Sequence, residues 1–369
     1  MPGSTNGKIA ALLRDLAAVQ TAQQSEWGYK RAAAAILDLD EPVERYLRPD
    51  GTLRKIPHVG PKSEQVVLEV LRTGKSATVE KAVAASGKSR DVRKRRGLRG
   101  NFLSRSEVVA ALRNKRLKGP ALADYRGDLQ MHSVWSDGGQ AFDEIADAAR
   151  ARGYEYCAVT DHSYGLTIAH GVAMKDLVKQ QKEIDRVNRA LRGKFRLIKG
   201  IEANIRADGS VDMEPKELAQ LELVVAAPHS MLRTEADQTD RMIAAVRTRG
   251  VQILGHPRGR MYGSRPGVSA DWDAVFEAAA ESGVAIEIDG DPSRQDIDYV
   301  LARRAVKARC LFALDSDAHA TDELANAEIA IAHARLAQVP KDRVINCWPL
   351  DRLMEWLASR KPRARRSAR

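Results

Sequence analysis

Residues 128–138 read DLQMHSVWSDG. An apolar–polar alternation runs into His132, then a serine-containing turn, then Asp137-Gly138. The pattern predicts a strand whose C-terminal end carries a histidine and an acid. Gln130 stands two residues before His132, where a second histidine would share the same strand face. The stretch therefore raises two questions. One is whether it forms one edge of a metal site. The other is whether an amide at position 130 spoils that site.

Similar runs follow downstream: YEYCAVTDH, FRLIKGIEANI, LELVVAAPH, VQILGHP, VAIEIDG and CLFALDSDAH. Helical stretches separate most of them. In FDEIADAARARG, Phe142, Ile145, Ala146 and Ala149 fall on one face, and DWDAVFEAAAESG repeats this with Trp272, Val275, Phe276 and Ala279. Apolar strands alternating with amphipathic helices predict parallel βα units. A closed barrel and an open doubly wound sheet both satisfy that pattern.

Five histidines end predicted strands: His132, His162, His229, His256 and His319. Asp137, Asp161, Glu202, Asp315 and Asp317 join them. In an α/β barrel all strand C-termini meet on one face, so these scattered residues converge. One such histidine is an ordinary polar residue; five at equivalent positions are not chance. Imidazole with carboxylate suits zinc, manganese or iron. The set exceeds the roughly four protein ligands of a single ion. It predicts a cluster of two or three ions, with Glu202 bridging. Closely spaced divalent ions serve phosphoester hydrolysis without a protein nucleophile. Ser133, Ser163 and Ser230 follow histidines and are expected to hydrogen-bond loop backbone. In HPRGRMYGSRPG, Arg258, Arg260 and Arg265 are candidate phosphate ligands. SYGLTIAHGV is long enough for a lid, with His170 facing either the site or solvent.

The chain has 369 residues, 44% hydrophobic and 30% charged, with a formal charge of +11. Its length allows two or three domains, and the charge favours a polyanionic partner. No apolar run is long enough to span a membrane and the N-terminus lacks a secretory pattern. Cys157, Cys310 and Cys347 read as thiols in a reducing, cytoplasmic compartment. Basic residues gather in KSRDVRKRRGLRGNFLSR, residues 88–105, and in SRKPRARRSAR from Ser359 onward. Both are expected to be flexible, solvated segments. The region before residue 88 reads as helical. In IPHVGPKSEQVVLEVLRTG a tight turn feeds a helix N-terminus, whose amides suit a phosphate.

DLQMHSVWSDG, TDHS, GIEANI, PHS, GHP and SDAH, in this order, resemble the polymerase and histidinol phosphatase (PHP) domain. SADWDAVFEAA and SDAHATDEL are similar to the C-terminal PHP domain of bacterial family X DNA polymerases. The resemblance implies a distorted seven-stranded βα barrel with a trinuclear metal site and 3′–5′ exonuclease activity. It implies one ion on His132, Glu202 and Asp317, a second on Glu202, His229 and His256, and a third on Asp137, His162 and His319. Gln130 departs from the family's histidine and implies a weakened first position. YKRAAAAILDL and the IPHVGPK turn resemble the helix-hairpin-helix portion of the same polymerases. Val59, Gly60 and Lys62 would then meet DNA, with His58 standing where glycine is usual. The implied organisation is a helix-hairpin-helix domain over 1–87, a basic linker over 88–123, a barrel over 124–358 and a basic tail over 359–369.

A polymerase palm is missing between the two resemblances. Gly263-Ser264 with Asp271 and Asp273 mimics a palm signature, but those aspartates precede a predicted helix. The expected function is metal-dependent hydrolysis of DNA ends without polymerase activity. Glu202, Asp317 and His132 are the expected catalytic core. A small-molecule phosphatase of the histidinol-phosphate type is the alternative, and a non-catalytic DNA-binding scaffold the third reading.

Overall fold

A computed structural model describes residues 4–361 of the chain. The described residues form two compact units. One is helical, ends at Asn114 and takes in Tyr262–Ser264; the other begins at Lys115. Among the described residues no helix is long and apolar enough to cross a membrane. Cys157 and Cys310 are buried free thiols, and Cys347 is half-buried and free.

The helical unit contains α1 (Thr5–Val19), α2 (Gln23–Leu37), α3 (Pro61–Thr73), α4 (Ala77–Ala85), α5 (Ser89–Gly97) and α6 (Arg105–Arg113). Its core gathers Ile9, Leu13, Ile36, Val66, Val67 and Val79. The turn before α3 is the expected hairpin. His58 adopts φ 62° there, a left-handed conformation that favours glycine. Gly60 is the N-cap and Pro61 the first helical residue, a position where proline's missing N–H costs nothing. Lys62 is exposed beside them.

The segment 88–105 is not the flexible, solvated linker expected from its composition. Val92 of α5 is buried in the helical core. Arg96 Nε and Arg99 Nη1 each lie 2.6 Å from the buried carboxylate of Asp15. One buried acid from α1 thus pairs with two cations, of which Arg99 is drawn inward, while Arg96 stays exposed with Arg90, Arg93, Lys94 and Arg95. Glu107 then fixes the start of α6, its carboxylate accepting from Ser104 N at 2.8 Å and Ser104 Oγ at 2.7 Å.

The barrel unit runs β1 (Gly127–Asp128), α7 (Phe142–Ala151), β2 (Tyr156–Val159), α8 (Met174–Leu191), β3 (Arg196–Asn204), α9 (Pro215–Leu218), β4 (Leu223–Ala227), α10 (Thr239–Arg247), β5 (Ile253–Leu254), α11 (Trp272–Ser282), β6 (Ala285–Asp289), α12 (Tyr299–Lys307), β7 (Leu311–Asp315), α13 (Ala327–Ala337) and α14 (Leu350–Ser359). Strands β1 to β7 pair in parallel in sequence order. Beyond the ends of β1 and β7, Met131 bridges Ala318 and His132 N donates to Ala318 O at 2.8 Å. The sheet is therefore a nearly closed seven-stranded barrel, which excludes the open-sheet alternative. Helices cover it through apolar faces. Phe142, Ile145, Ala146 and Ala149 of α7 are buried at helical spacing, and Phe142 alone contributes roughly 2–3 kcal/mol by leaving water.

Inward positions change character along each strand. Side chains two residues apart share a face. Ile198 lies in the lower core and Glu202, four residues on, at the top; Ala285 likewise precedes Glu287 and Asp289, and Ala313 precedes Asp315. The lower core is apolar, filled by Leu129, Tyr156, Ile253, Trp348, Leu353 and Leu357. The upper layer is acidic and meets the histidine-bearing loops. Asp271 is the N-cap of α11, accepting from the amides of Asp273 and Ala274, and Asp273 pairs with Arg304 at 2.8 Å. The expected basic tail also needs correction at its start. Ser359 ends α14, and Arg360 donates to the carbonyls of Ser282 and Val251. The rest of the tail, from Pro362, lies outside the described residues.

Candidate metal centre

Glu202 is the hub. Extended backbone carries it inward near the end of β3, where it is fully buried. Its Oε1 lies 2.8 Å from His256 Nε2 and 3.3 Å from His229 Nε2. Its Oε2 lies 2.9 Å from His162 Nδ1 and 3.6 Å from His132 Nε2. Asp137, in the turn after β1, lies 3.5 Å from His162 Nε2 and 3.6 Å from His319 Nε2. Asp317 Oδ1 lies 3.1 Å from His132 Nε2. All eight expected imidazole and carboxylate residues are therefore at one place. Within it, ligand atoms of His132, Asp137, His162 and His319 lie within 4.8 Å of one another, as do those of His162, Glu202 and His229.

The local sequence explains how the loops reach this point. Gly138 packs so closely that a Cβ there would sit 2.4 Å from the His132 carbonyl, which fixes glycine after Asp137. Asp161 is buried and does not face the ligands as a donor. It accepts from Ser133 N, Ser133 Oγ, Ser136 Oγ and Gln180 Nε2, and so ties the β1 and β2 loops together. Asp315 accepts from Leu129 N at 2.9 Å and Asn346 Nδ2 at 2.8 Å. It staples β1 to β7 below the centre. Ser133 meets the expectation, its Oγ accepting from Trp135 N at 3.2 Å, and all three serines also bond charged side chains. Ser133 donates to Asp161 and Ser163 to Asp212, while Ser230 Oγ accepts from Arg241. Their partners are charged side chains because the loops enclose buried ionic groups.

The electrostatics fit cation binding. Burial opposes a charged His162, but Glu202 and Asp137 outweigh it and raise its pKa to about 10. The same opposition, with Asp137 and Asp317, raises His319 to about 9. Burial works against a charged Glu202, yet the facing imidazoles hold it well below its ordinary range. Beneath, burial and Asp315 push Asp128 up to about 8. Buried lone pairs supply the sharper test. His162 Nδ1, His229 Nε2 and Glu202 Oε2 are buried without a hydrogen bond of sound geometry. Buried polar atoms are rarely left so. Nitrogen and oxygen lone pairs that converge on shared space fit divalent cations, and the mixed donor set suits zinc, manganese or iron.

Gln130 lies inside the same group. Its Nε2 is 3.5 Å from Asp317 Oδ1, and its Oε1 is buried without a partner. The amide therefore offers an oxygen where a histidine would offer a nitrogen. His170 is exposed.

The expectation for Arg260 is corrected. Arg260 is buried and committed to the protein. It donates to the carbonyls of Arg294 and Gln295 and to Asp298 Oδ2. Arg258 lies 3.4 Å from Asp298 and Arg265 donates to Gly259 O at 2.6 Å; both are half-buried. The cation that reaches the centre is Arg294, in the loop after β6. Its Nη2 lies 3.4 Å from Asp317 Oδ2 and its Nε 3.9 Å from Asp289 Oδ2. Burial opposes its charge, but Asp317, Asp289 and Asp291 outweigh burial and raise its pKa. Asn204 was also missed; its Oδ1 lies 2.6 Å from His229 Nδ1. One signal was available for Arg294. The loop after β6 ends at the same rim as the others, although it carries no histidine.

Comparison with known proteins supports both units. The helix-hairpin-helix domain family matches residues 4–76. The chain is 34% identical over 226 residues to the DNA polymerase/3′-5′ exonuclease PolX of Bacillus subtilis, covering 61% of this chain but only 40% of that protein. It is 30% identical over 250 residues to the probable phosphatase YcdX of Escherichia coli, covering 64% of this chain and 95% of the relative. A probable phosphatase of Shewanella oneidensis is 30% identical over 253 residues, with 92% of its length covered. Near-complete coverage of such relatives, on a seven-stranded barrel whose rim gathers five histidines, means that this chain belongs to the PHP family of phosphoesterases, here preceded by a helix-hairpin-helix domain.

Proposed function

We propose that this protein is a metal-dependent phosphodiesterase that processes DNA ends, most simply by 3′–5′ exonucleolytic removal of nucleotides, without polymerase activity. The carrying observation is Glu202, whose two carboxylate oxygens face four imidazoles from four other strand ends. His132, Glu202 and Asp317 would hold one ion, Glu202, His229 and His256 a second, and Asp137, His162 and His319 a third. Bound there, divalent ions lower the pKa of a water and offset charge on phosphoryl oxygens. The chain's own residues supply the rest. Glu202 fixes the spacing of the ligands, and burial excludes bulk water from their lone pairs. Arg258 and Arg265, half-exposed in the loop after β5, would meet the outer phosphate oxygens.

DNA binding belongs to the helical unit. The Val59–Gly60–Lys62 turn presents a helix N-terminus and a cation, and α5 adds Arg90, Arg93, Lys94 and Arg95 on its exposed side. Contacts of this kind neutralise phosphates without reading sequence. A second reading has its own support. The relatives covered almost completely are probable phosphatases, so a small phosphomonoester is the competing substrate.

Metal analysis of the purified full chain, with gel assays on 3′- and 5′-labelled DNA and a parallel phosphomonoester assay, tests the proposal. Metal-dependent shortening from the 3′ end is expected. Hydrolysis of the monoester alone would transfer the protein to the second reading.

A further inference from the structure

Trp27 stands apart from every other aromatic side chain. Of the phenylalanines, tyrosines and tryptophans among the described residues, it alone is exposed, at 53%. Aromatic surface of this size is normally buried, because leaving water stabilises it. Packing does not hold Trp27 where it is. Ala32, Ala33 and Ile36 set the core face of α2, and Trp27, at about 100° per residue, falls on the opposite side. Tyr29, two positions on, packs against the core instead.

Cations gather beside the ring. Lys30 Nζ lies 5.3 Å from its centroid and 2.5 Å from Glu26. Helix α5 brings two more. Lys88 and Arg95 flank the buried Val92 at helical spacing, so both stand on the side of α5 turned toward the rest of the helical unit. Lys88 Nζ donates to Ala18 O at 3.2 Å, near the end of α1. Lys30 first, and then Lys88 and Arg95, hold the Glu26 carboxyl below its ordinary range. Three cations therefore meet one acid next to Trp27. One turn earlier, α2 begins without a capping side chain: Ala22 is the N-cap and makes no side-chain cap hydrogen bond. The first amides of the helix are left for acceptors outside the chain.

We propose that Trp27, with Lys30, Lys88 and Arg95, forms a contact surface for single-stranded nucleic acid, the indole stacking on an unpaired base and the cations meeting the flanking phosphates. The proposal rests on the DNA-processing reading above and deepens it, by giving the single strand a surface other than the hairpin turn before α3. A base inside a duplex has both faces covered by its neighbours, whereas an unpaired base offers a face to an indole. The excess of positive charge suits a polyanion, and the exposed ring supplies what a patch built for phosphate alone would lack. Such a contact reads no sequence, since every base has a π-face.

Fluorescence anisotropy of the full chain tests it, with labelled oligothymidylate, a duplex of equal length and an abasic strand of equal length as probes. Trp27→Ala should weaken oligothymidylate binding about five- to a hundredfold and leave the duplex and the abasic strand unaffected. Trp27→Phe should restore most of that loss. Arg95→Gln should weaken both single strands alike and flatten their salt dependence by about 0.7 in log–log slope. Wild-type affinity of Trp27→Ala for oligothymidylate would overturn the surface, as would an equal loss on the abasic strand or an unaltered salt slope in Arg95→Gln. A gel assay for 3′-end shortening, run in parallel, separates the two readings. Shortening by a chain whose Trp27→Ala variant binds every probe normally sinks the surface alone. Selective loss of oligothymidylate binding in Trp27→Ala, with a metal-loaded wild type that hydrolyses no DNA, sinks the hydrolytic reading and leaves the surface standing.

Discussion

Asn204 Oδ1 lies 2.6 Å from His229 Nδ1, which makes Nδ1 the donor and turns the Nε2 lone pair toward Glu202. Asn204 is itself held by Asp212, which accepts from Asn204 Nδ2 at 2.6 Å and from its backbone N at 3.0 Å. A chain of two hydrogen bonds thus sets one imidazole's orientation. Partners of this kind typically change metal affinity about ten- to a hundredfold when removed. Asn204→Ala should weaken zinc or manganese binding by that factor without unfolding the chain. Competition against a fluorescent chelator measures it; equal affinity would mean that the ring needs no outer support.

Gln130→His asks what the amide does. The position is buried, and Gln130 already reaches toward Asp317 Oδ1. An imidazole is the better ligand for a borderline ion such as zinc. The substitution should tighten the weakest ion by a factor on the order of ten, about 1.4 kcal/mol. Elemental analysis after dialysis against a graded chelator would register it as a higher metal-to-protein ratio. A ratio no different from wild type would show that the glutamine oxygen already suffices.

His333 gives a pH dependence remote from the ligands. Burial and then the Arg260 cation lower its pKa to about 3. Its neutral ring accepts from Tyr299 N at 3.0 Å and pairs with Gln295 at 2.8 Å. The folded value lies below the ordinary value of about 6.5. Its contribution is therefore complete above about pH 6.5 and is lost as pH falls toward 3. His333→Ala should cost roughly 2 kcal/mol near neutrality. The gap in melting temperature between wild type and variant should narrow on acidification. A constant gap from pH 7 to pH 4 would contradict the neutral-ring account.

The hairpin offers a separate test. His58 holds φ 62°, which costs a non-glycine residue about 1 kcal/mol. His58→Gly should relax the turn, open the approach to its amides and strengthen DNA binding. Lys62→Ala should weaken binding evenly across sequences and flatten its salt dependence by nearly one phosphate contact. Fluorescence anisotropy on a short duplex at several salt concentrations reads both. Unchanged salt slopes would remove this turn from the DNA-binding surface.

Much of the barrel was legible because period-two alternation and helical faces fall in the right order from Gly127 to Asp315. The ligand cluster was legible because its histidines end strands, and parallel topology alone brings strand ends together. Other features depended on partners far away in sequence. Nothing around Arg96 and Arg99 announces that both will pair with the buried Asp15. Nothing around Arg260 reveals that carbonyls 294 and 295 will absorb its donors. Local composition therefore marked both segments as solvated or substrate-facing. β1 and β5 are also only two residues long, since their later residues leave the ladder to become loop and ligand.

The apolar plug of Tyr156, Trp348, Leu353 and Leu357 makes the barrel a cup and not a pipe. On the proposed hydrolytic reading, ester, water and product therefore come and go on the rim side, never through the apolar floor.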